Sequence, residues 1–191
     1  MKKPFYIFLI GTLLILSCKN QKTKLQGESS FFPVLSFIKS QVAHVDTSVY
    51  RIMKVIKTDS ISDTTYLKRE QFRDAAKDFL SIPDISSEEL KDDYTETKLF
   101  IQDIDQVALN YMPKKPDKEI TRQEVMIKPG TDGDKVQSIF INRINNSKEG
   151  SIHKILFWEV DKQFKIVTLT QFPDQPEKTQ TIEVIWNNFP S

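Results

Sequence analysis

The 191-residue chain has one cysteine, Cys18, two histidines, two tryptophans and five glycines. A single cysteine permits no internal disulfide, so the folded part must be stabilised by packing alone. Two separated histidines, His44 and His153, supply no spaced ligand set for a zinc ion, which wants four donors. Gly27, Gly130, Gly133 and Gly150 are too scattered for a loop that cradles phosphate. No sign of charge dominates either. Loss of Lys2 and Lys3 from the 27 basic residues leaves 25 against 26 acidic ones. Lys and Arg are interspersed with Asp and Glu, without the basic clustering on which phosphate neutralisation depends, so a nucleic-acid partner is excluded. No cofactor is implied.

The one long apolar run lies at the start. Lys2 and Lys3 precede Phe5 to Leu16, and small Ser17 stands before Cys18, the three parts of a secretion leader in order. Pro4 and Lys19 bracket only 14 residues, Phe5 to Cys18, whereas a permanent span needs about 20. A cleaved leader over 1–17 is expected in preference to a retained span. Ile15-Leu16-Ser17-Cys18 resembles the lipobox of bacterial lipoprotein precursors, although Leu16 replaces the smaller or β-branched residue more usual there. The resemblance covers only the first eighteen residues. It implies cleavage before Cys18, acylation of that cysteine and attachment to a membrane through the lipid. More than one fatty chain makes such attachment durable at about 0.8 kcal/mol per buried methylene. Lys19-Asn20 lacks the early aspartate that retains some of these proteins at the inner membrane, which favours the outer membrane, periplasmic side. Surface display is the alternative.

Residues 18–29 are polar and read as a flexible tether behind the lipid. Residues 30–191 are of a size that makes one domain. Ser30 is placed to cap a first helix, with Pro33 in its first turn and Val34, Phe37, Ile38, Val42 and Val45 on one face. A hairpin follows, Val49 to Lys57 out and Thr64 to Leu67 back, around a turn-like 58–63. A second helix is predicted over Arg69 to Leu80. Ser86 with Glu89 has capping-box spacing for a short third one running toward Tyr94. From about Lys98 the period changes to two, with strands predicted at 106–112, 120–128, 136–145, 151–160, 163–171 and 178–187. Short connections favour an antiparallel meander. The fold class is therefore α+β, with N-terminal helices packed on a curved, mainly antiparallel sheet.

Candidate chemistry is sparse. Gly150-Ser151-Ile152-His153 lacks the second glycine of a nucleophile elbow. Asp103 and Asp105 would share a face if extended, and Asp92 adjoins Asp93; solvated edge charge explains both pairs. Thr131-Asp132-Gly133-Asp134 has part of a calcium loop's composition without its terminal glutamate, and reads as a hairpin turn. Asp59-Ser60-Ile61 and Asp63-Thr64-Thr65 resemble the three-residue acceptor for O-glycosylation of exported proteins, which makes Ser60 and Thr64 candidate sites. No catalytic or metal residue is assigned.

The late strands are apolar on both faces: Ile152, Leu156, Trp158 and Val160 oppose Ile155 and Phe157, and Ile182, Val184 and Trp186 oppose Ile185. A one-sided sheet would alternate apolar with polar. Phe157, Trp158 and Trp186 are thus the candidate ligand or partner face, weighed against closure of the core by coiling and loops. Phe31, Phe32 and Phe37 are placed to staple the first helix to the domain or to meet a partner. The sequence predicts a lipid-anchored, non-catalytic binding or assembly module, with an envelope complex as partner. A carrier for apolar cargo is the alternative.

Overall fold

The computed structural model describes residues 31–59 and 61–187. Cys18, Ser30 and Ser60 lie outside them, and with them the leader, the lipid site, the expected helix cap and one candidate glycosylation site.

The first helix, α1 (Val34–Thr47), buries Val34, Ile38, Val42 and Val45, a 4-4-3 spacing that keeps one stripe on one face. Pro33 stands at its N-cap position, and the Pro33 carbonyl accepts from the Phe37 N–H at 3.0 Å. At the other end the Ser48 hydroxyl donates to the Val45 carbonyl at 2.8 Å, satisfying an end-of-helix acceptor.

The hairpin β1 (Ile52–Thr58) and β2 (Ile61–Leu67) follows, with Asp59 in the left-handed region at φ 52°. The turn is shorter than the sequence suggests, so Ile61, Ser62 and Asp63 join β2, in which Thr64 lies opposite Val55. The expected helix over 69–80 is broken. A 3-10 turn over Arg69–Gln71 leads to α2 (Phe72–Ala75) and α3 (Lys77–Leu80), separated at Ala76, whose φ −88° and ψ 5° leave the helical region. The third helix does not form. The Asp84 carboxylate accepts from the Ser86 N–H at 3.1 Å and its hydroxyl at 2.6 Å, a side-chain turn that competes with helical pairing. Tyr94 opens a strand instead.

That strand, β3 (Tyr94–Ile101), begins a run of seven: β4 (Gln106–Pro113), β5 (Ile120–Lys128), β6 (Lys135–Asn146), β7 (Ser151–Glu159), β8 (Gln163–Gln171) and β9 (Lys178–Ile185). Each pairs antiparallel with the next, as the meander requires, and β9 then pairs with β1. The sheet order is β2-β1-β9-β8-β7-β6-β5-β4-β3. The result is an open, nine-stranded antiparallel sheet with a few short helices, broadly α+β.

Alternation divides the sheet's side chains. Leu156 and Trp158 of β7, Phe164 and Ile166 of β8, Val184 of β9, Ile139 and Ile141 of β6 and Val125 of β5 are all buried, in one cluster with the α1 stripe, Phe72 and Phe79. Phe72 and Phe79 meet the sheet edge-on, with Phe79 5.1 Å from Trp158 and Phe72 5.2 Å from Trp186. Edge-to-face contacts of this kind add to area burial because ring edges are electropositive and ring faces electronegative.

Two cations stand directly opposite each other beyond the apolar centre, Arg143 on β6 and Lys154 on β7. Like charges in that relation repel. Each is answered by an acid: Lys154 donates to Asp78 of α3 at 2.5 Å, and Arg143 donates to Glu119 ahead of β5. Arg143 also reaches the Ser81 hydroxyl at 3.2 Å, so both cations hold the same short helical segment.

Candidate functional site

The proposed face of Phe157, Trp158 and Trp186 is not one face. Trp158 and Trp186 are buried, at 0% and 1% exposure, with ring centroids 5.4 Å apart and Phe72, Phe79 and Phe164 around them. Strand alternation sends Phe157 to the opposite side, where it is half-buried. The tryptophans are core residues, and no sugar can stack on them without opening that core. Their indole Nε1 atoms, with Gln123 Nε2, are buried N–H donors with no acceptor among the described residues.

The polar candidates do not converge. His44 lies edge-on to Tyr50 at 6.1 Å, while His153 Nε2 contacts Asn142 Oδ1 on the neighbouring strand. Ser151 donates to Asn146 at 2.8 Å, so Ser151 and His153 hold separate partners. Gln102–Ile104 is a 3-10 turn and Asp105 is left-handed at φ 51°, which removes the shared strand face expected of Asp103 and Asp105. Asp93 is paired with Lys118 at 2.6 Å, and the hydrogen bond from that ammonium holds its carboxyl below the usual range. Beside it, burial and then the Asp93 charge push the Tyr94 phenol up to about 12. Residues 131–134 form the β5–β6 turn, where Gly133 adopts φ 108° and its N–H donates to the Gly130 carbonyl at 3.2 Å. Among the described residues no three His, Cys, Asp or Glu side chains gather as a metal site.

The aromatics at the domain's start pack inward. Phe31 lies 4.9 Å from Tyr111 and Phe32 5.5 Å from Phe37. The Phe32 N–H donates to the Tyr111 hydroxyl at 3.0 Å, which donates to Glu96 Oε1 at 2.9 Å. Burial raises the Tyr111 phenol's pKa, keeping it a neutral donor. Phe32 and Phe37 also line an open depression of about 860 Å³ with Val136, Phe157, Asp134 and Lys162. Its lining mixes apolar groups with charges of both signs.

Most of the exposed large apolar side chains lie elsewhere, at or beside the two sheet edges, with Val49, Ile152 and Phe172 the others. On β2, Ile61 is 74% and Tyr66 56% exposed. On β3 and the turn after it, Leu99, Phe100 and Ile104 are 59%, 51% and 50% exposed, and Met112 of β4, opposite Thr95 at the other end of β3, is 48% exposed. Lys98 of β3 lies 3.4 Å from Glu96 Oε2, the oxygen not used by Tyr111. Both strands are terminal in the sheet, so one side of each backbone has no strand partner among the described residues. Sequence reading missed β3 altogether. Its one available signal was Thr95, Thr97 and Leu99 alternating with Glu96, Lys98 and Phe100, a pattern with no apolar face. Comparison with protein-family models, with curated proteins and with solved structures found no match for this chain.

Proposed function

We propose that the chain is a lipid-anchored envelope protein, held by acyl chains on Cys18 at the periplasmic side of the outer membrane, whose domain is a non-catalytic binding or assembly module. One observation carries the binding role: the sheet is open, and most of the exposed large apolar groups lie at or beside its two edges, which have no strand partner among the described residues. Such an edge presents a row of backbone donors and acceptors to another strand. The lipid would raise the effective concentration of module and partner at the membrane. In this reading the sheet curves around its helical side. Thr64, exposed on β2, and Ser60 would carry O-linked sugar that shields the β2 edge.

The depression beside α1 supports the second reading, a carrier of apolar cargo, because its volume suits a small ligand. Its charged lining suits an acyl chain poorly, which places the carrier behind the assembly module.

The test is photo-crosslinking in intact membranes from positions 99 and 100, with position 132 in the β5–β6 turn as control. Discrete adducts with envelope proteins from β3 alone are expected. Native mass spectrometry with organic extraction of the same preparation separates the readings, since a stoichiometric lipid without protein adducts would put the carrier first.

A further inference from the structure

We propose that β3 is a self-association edge: two copies pair β3 against β3, antiparallel about a twofold axis through Thr97, so that the sheet continues from one copy into the next. This deepens the assembly reading, on which it rests, by naming the partner as a second copy of this chain.

The strand's own charges select that partner and that register. With Thr97 on the axis, Glu96 faces Lys98 of the second copy and Lys98 faces its Glu96, two ion pairs on one sheet face. Tyr94 meets Phe100 on the same face, and Thr95 meets Leu99 on the other. Moving the axis to Glu96 places Glu96 on Glu96, and moving it to Lys98 places Lys98 on Lys98. Like charges directly opposite are unfavourable, so both alternatives are penalised. A one-residue slip turns the faces over.

The geometry is prepared for this pairing. Tyr111 holds Glu96 through Oε1 at 2.9 Å, leaving Oε2 toward Lys98. Lys98 is 62% exposed and free to swing to the second copy, whereas Glu96 is 10% exposed and fixed. Thr95, Thr97, Leu99 and Phe100 are exposed along the strand. Burying Leu99 and Phe100 removes apolar surface from water, the same driving force that builds the core. The β2 edge offers no such match: an axis at Asp63 opposes two carboxylates, and an axis at Thr64 brings no opposite charges together. A twofold pairing also closes at two copies, where a β2-to-β3 contact would continue without end.

The experiment uses the full chain in its own membranes with Thr97→Cys. Directly opposite residues of an antiparallel pair have Cα atoms about 4.5–5.5 Å apart, within the roughly 4.4–6.8 Å that a disulfide spans. Mild oxidation should give a disulfide-linked dimer, with none from Thr64→Cys on β2 or from the unsubstituted chain. Adding Lys98→Glu should cut the dimer yield about tenfold through like-charge opposition. Mixing Lys98→Glu chains with Glu96→Lys chains, each also carrying Thr97→Cys, should restore it. Thr97→Cys that stays monomeric, or that crosslinks no better than Thr64→Cys, overturns the proposal. A Thr97→Cys adduct with a different protein also overturns it while the assembly reading stands. If the photo-crosslinkers on β3 also capture nothing, both fall.

Discussion

The opposed cations Arg143 and Lys154 predict that removing an acid costs more than removing its base. In Asp78→Ala, Lys154 keeps its charge, 27% exposed, next to Arg143 at 19%, with Glu119 the remaining acid of the two ion pairs among the described residues. Two unit charges about 6 Å apart at an effective dielectric of about 20–40 repel by about 1–3 kcal/mol. Lys154→Ala removes that repulsion together with the ion pair, and Asp78 is left near Arg143, which already reaches Ser81 three residues on. Its cost should stay below about 1 kcal/mol, as for pairs near the surface. The double variant should be close to Lys154→Ala alone, so the coupling equals the Asp78→Ala cost, about 1–3 kcal/mol. Urea unfolding followed by tryptophan emission reads this directly, because both tryptophans are buried in the native state. Equal costs for the two single variants, or a double variant equal to their sum, would refute the account.

Three further outcomes follow from the structure and the sequence. Phe79→Ala, which strips a fully buried ring from Trp158 and Phe164, should destabilise by about 3–5 kcal/mol, and Ile61→Ala on the exposed β2 edge by about 0.5 kcal/mol or less; reversal of that order in urea unfolding would contradict the core assignment. Tyr94 ionises near 10 when unfolded and about 12 when folded, so its contribution of about 2–3 kcal/mol is complete below pH 10 and lost as pH rises toward 12; Tyr94→Phe should flatten that alkaline fall, and an unchanged profile would show that the burial of the phenol is misjudged. Cys18→Ala should move the protein from the membrane to the soluble fraction, and its persistence in washed membranes would defeat the lipid anchor.

Much of the sheet is legible in the sequence because stretches of β4 to β9 alternate apolar with polar groups, and Pro, Gly or the left-handed Asp161 marks the turns. Their boundaries fall within a residue or two of expectation. The α1 stripe is legible for the same reason, since Val34, Ile38, Val42 and Val45 keep one face. What escapes is structure whose cause is not periodic. β3 is an edge strand exposed on both faces, so Thr95, Glu96, Thr97 and Lys98 carry no alternation to read, and Ser86 with Glu89 offers a false helical start that Asp84 defeats by taking Ser86 for itself. The break at Ala76 has no breaker residue to announce it. Pairing of β1 with β9 depends on segments at opposite ends of the chain, beyond any local signal. Two-sided apolarity does not tell a buried side from an accessible one, so the sequence alone leaves Trp158 and Trp186 open to a ligand face; the phenylalanines of α2 and α3 cover them.

The join between β1 and β9 sets an order of events. A chain that emerges from its amino end delivers the β1–β2 hairpin early, yet Met53 must wait for Ile185, near the carboxyl end, before its strand has a neighbour on that side. A lone hairpin is marginal in water. The β1–β2 hairpin therefore lacks this sheet neighbour until β9 has been made. A product truncated before β9 would hold two orphaned strand edges, on β1 and on β8, and would be an early target for proteases.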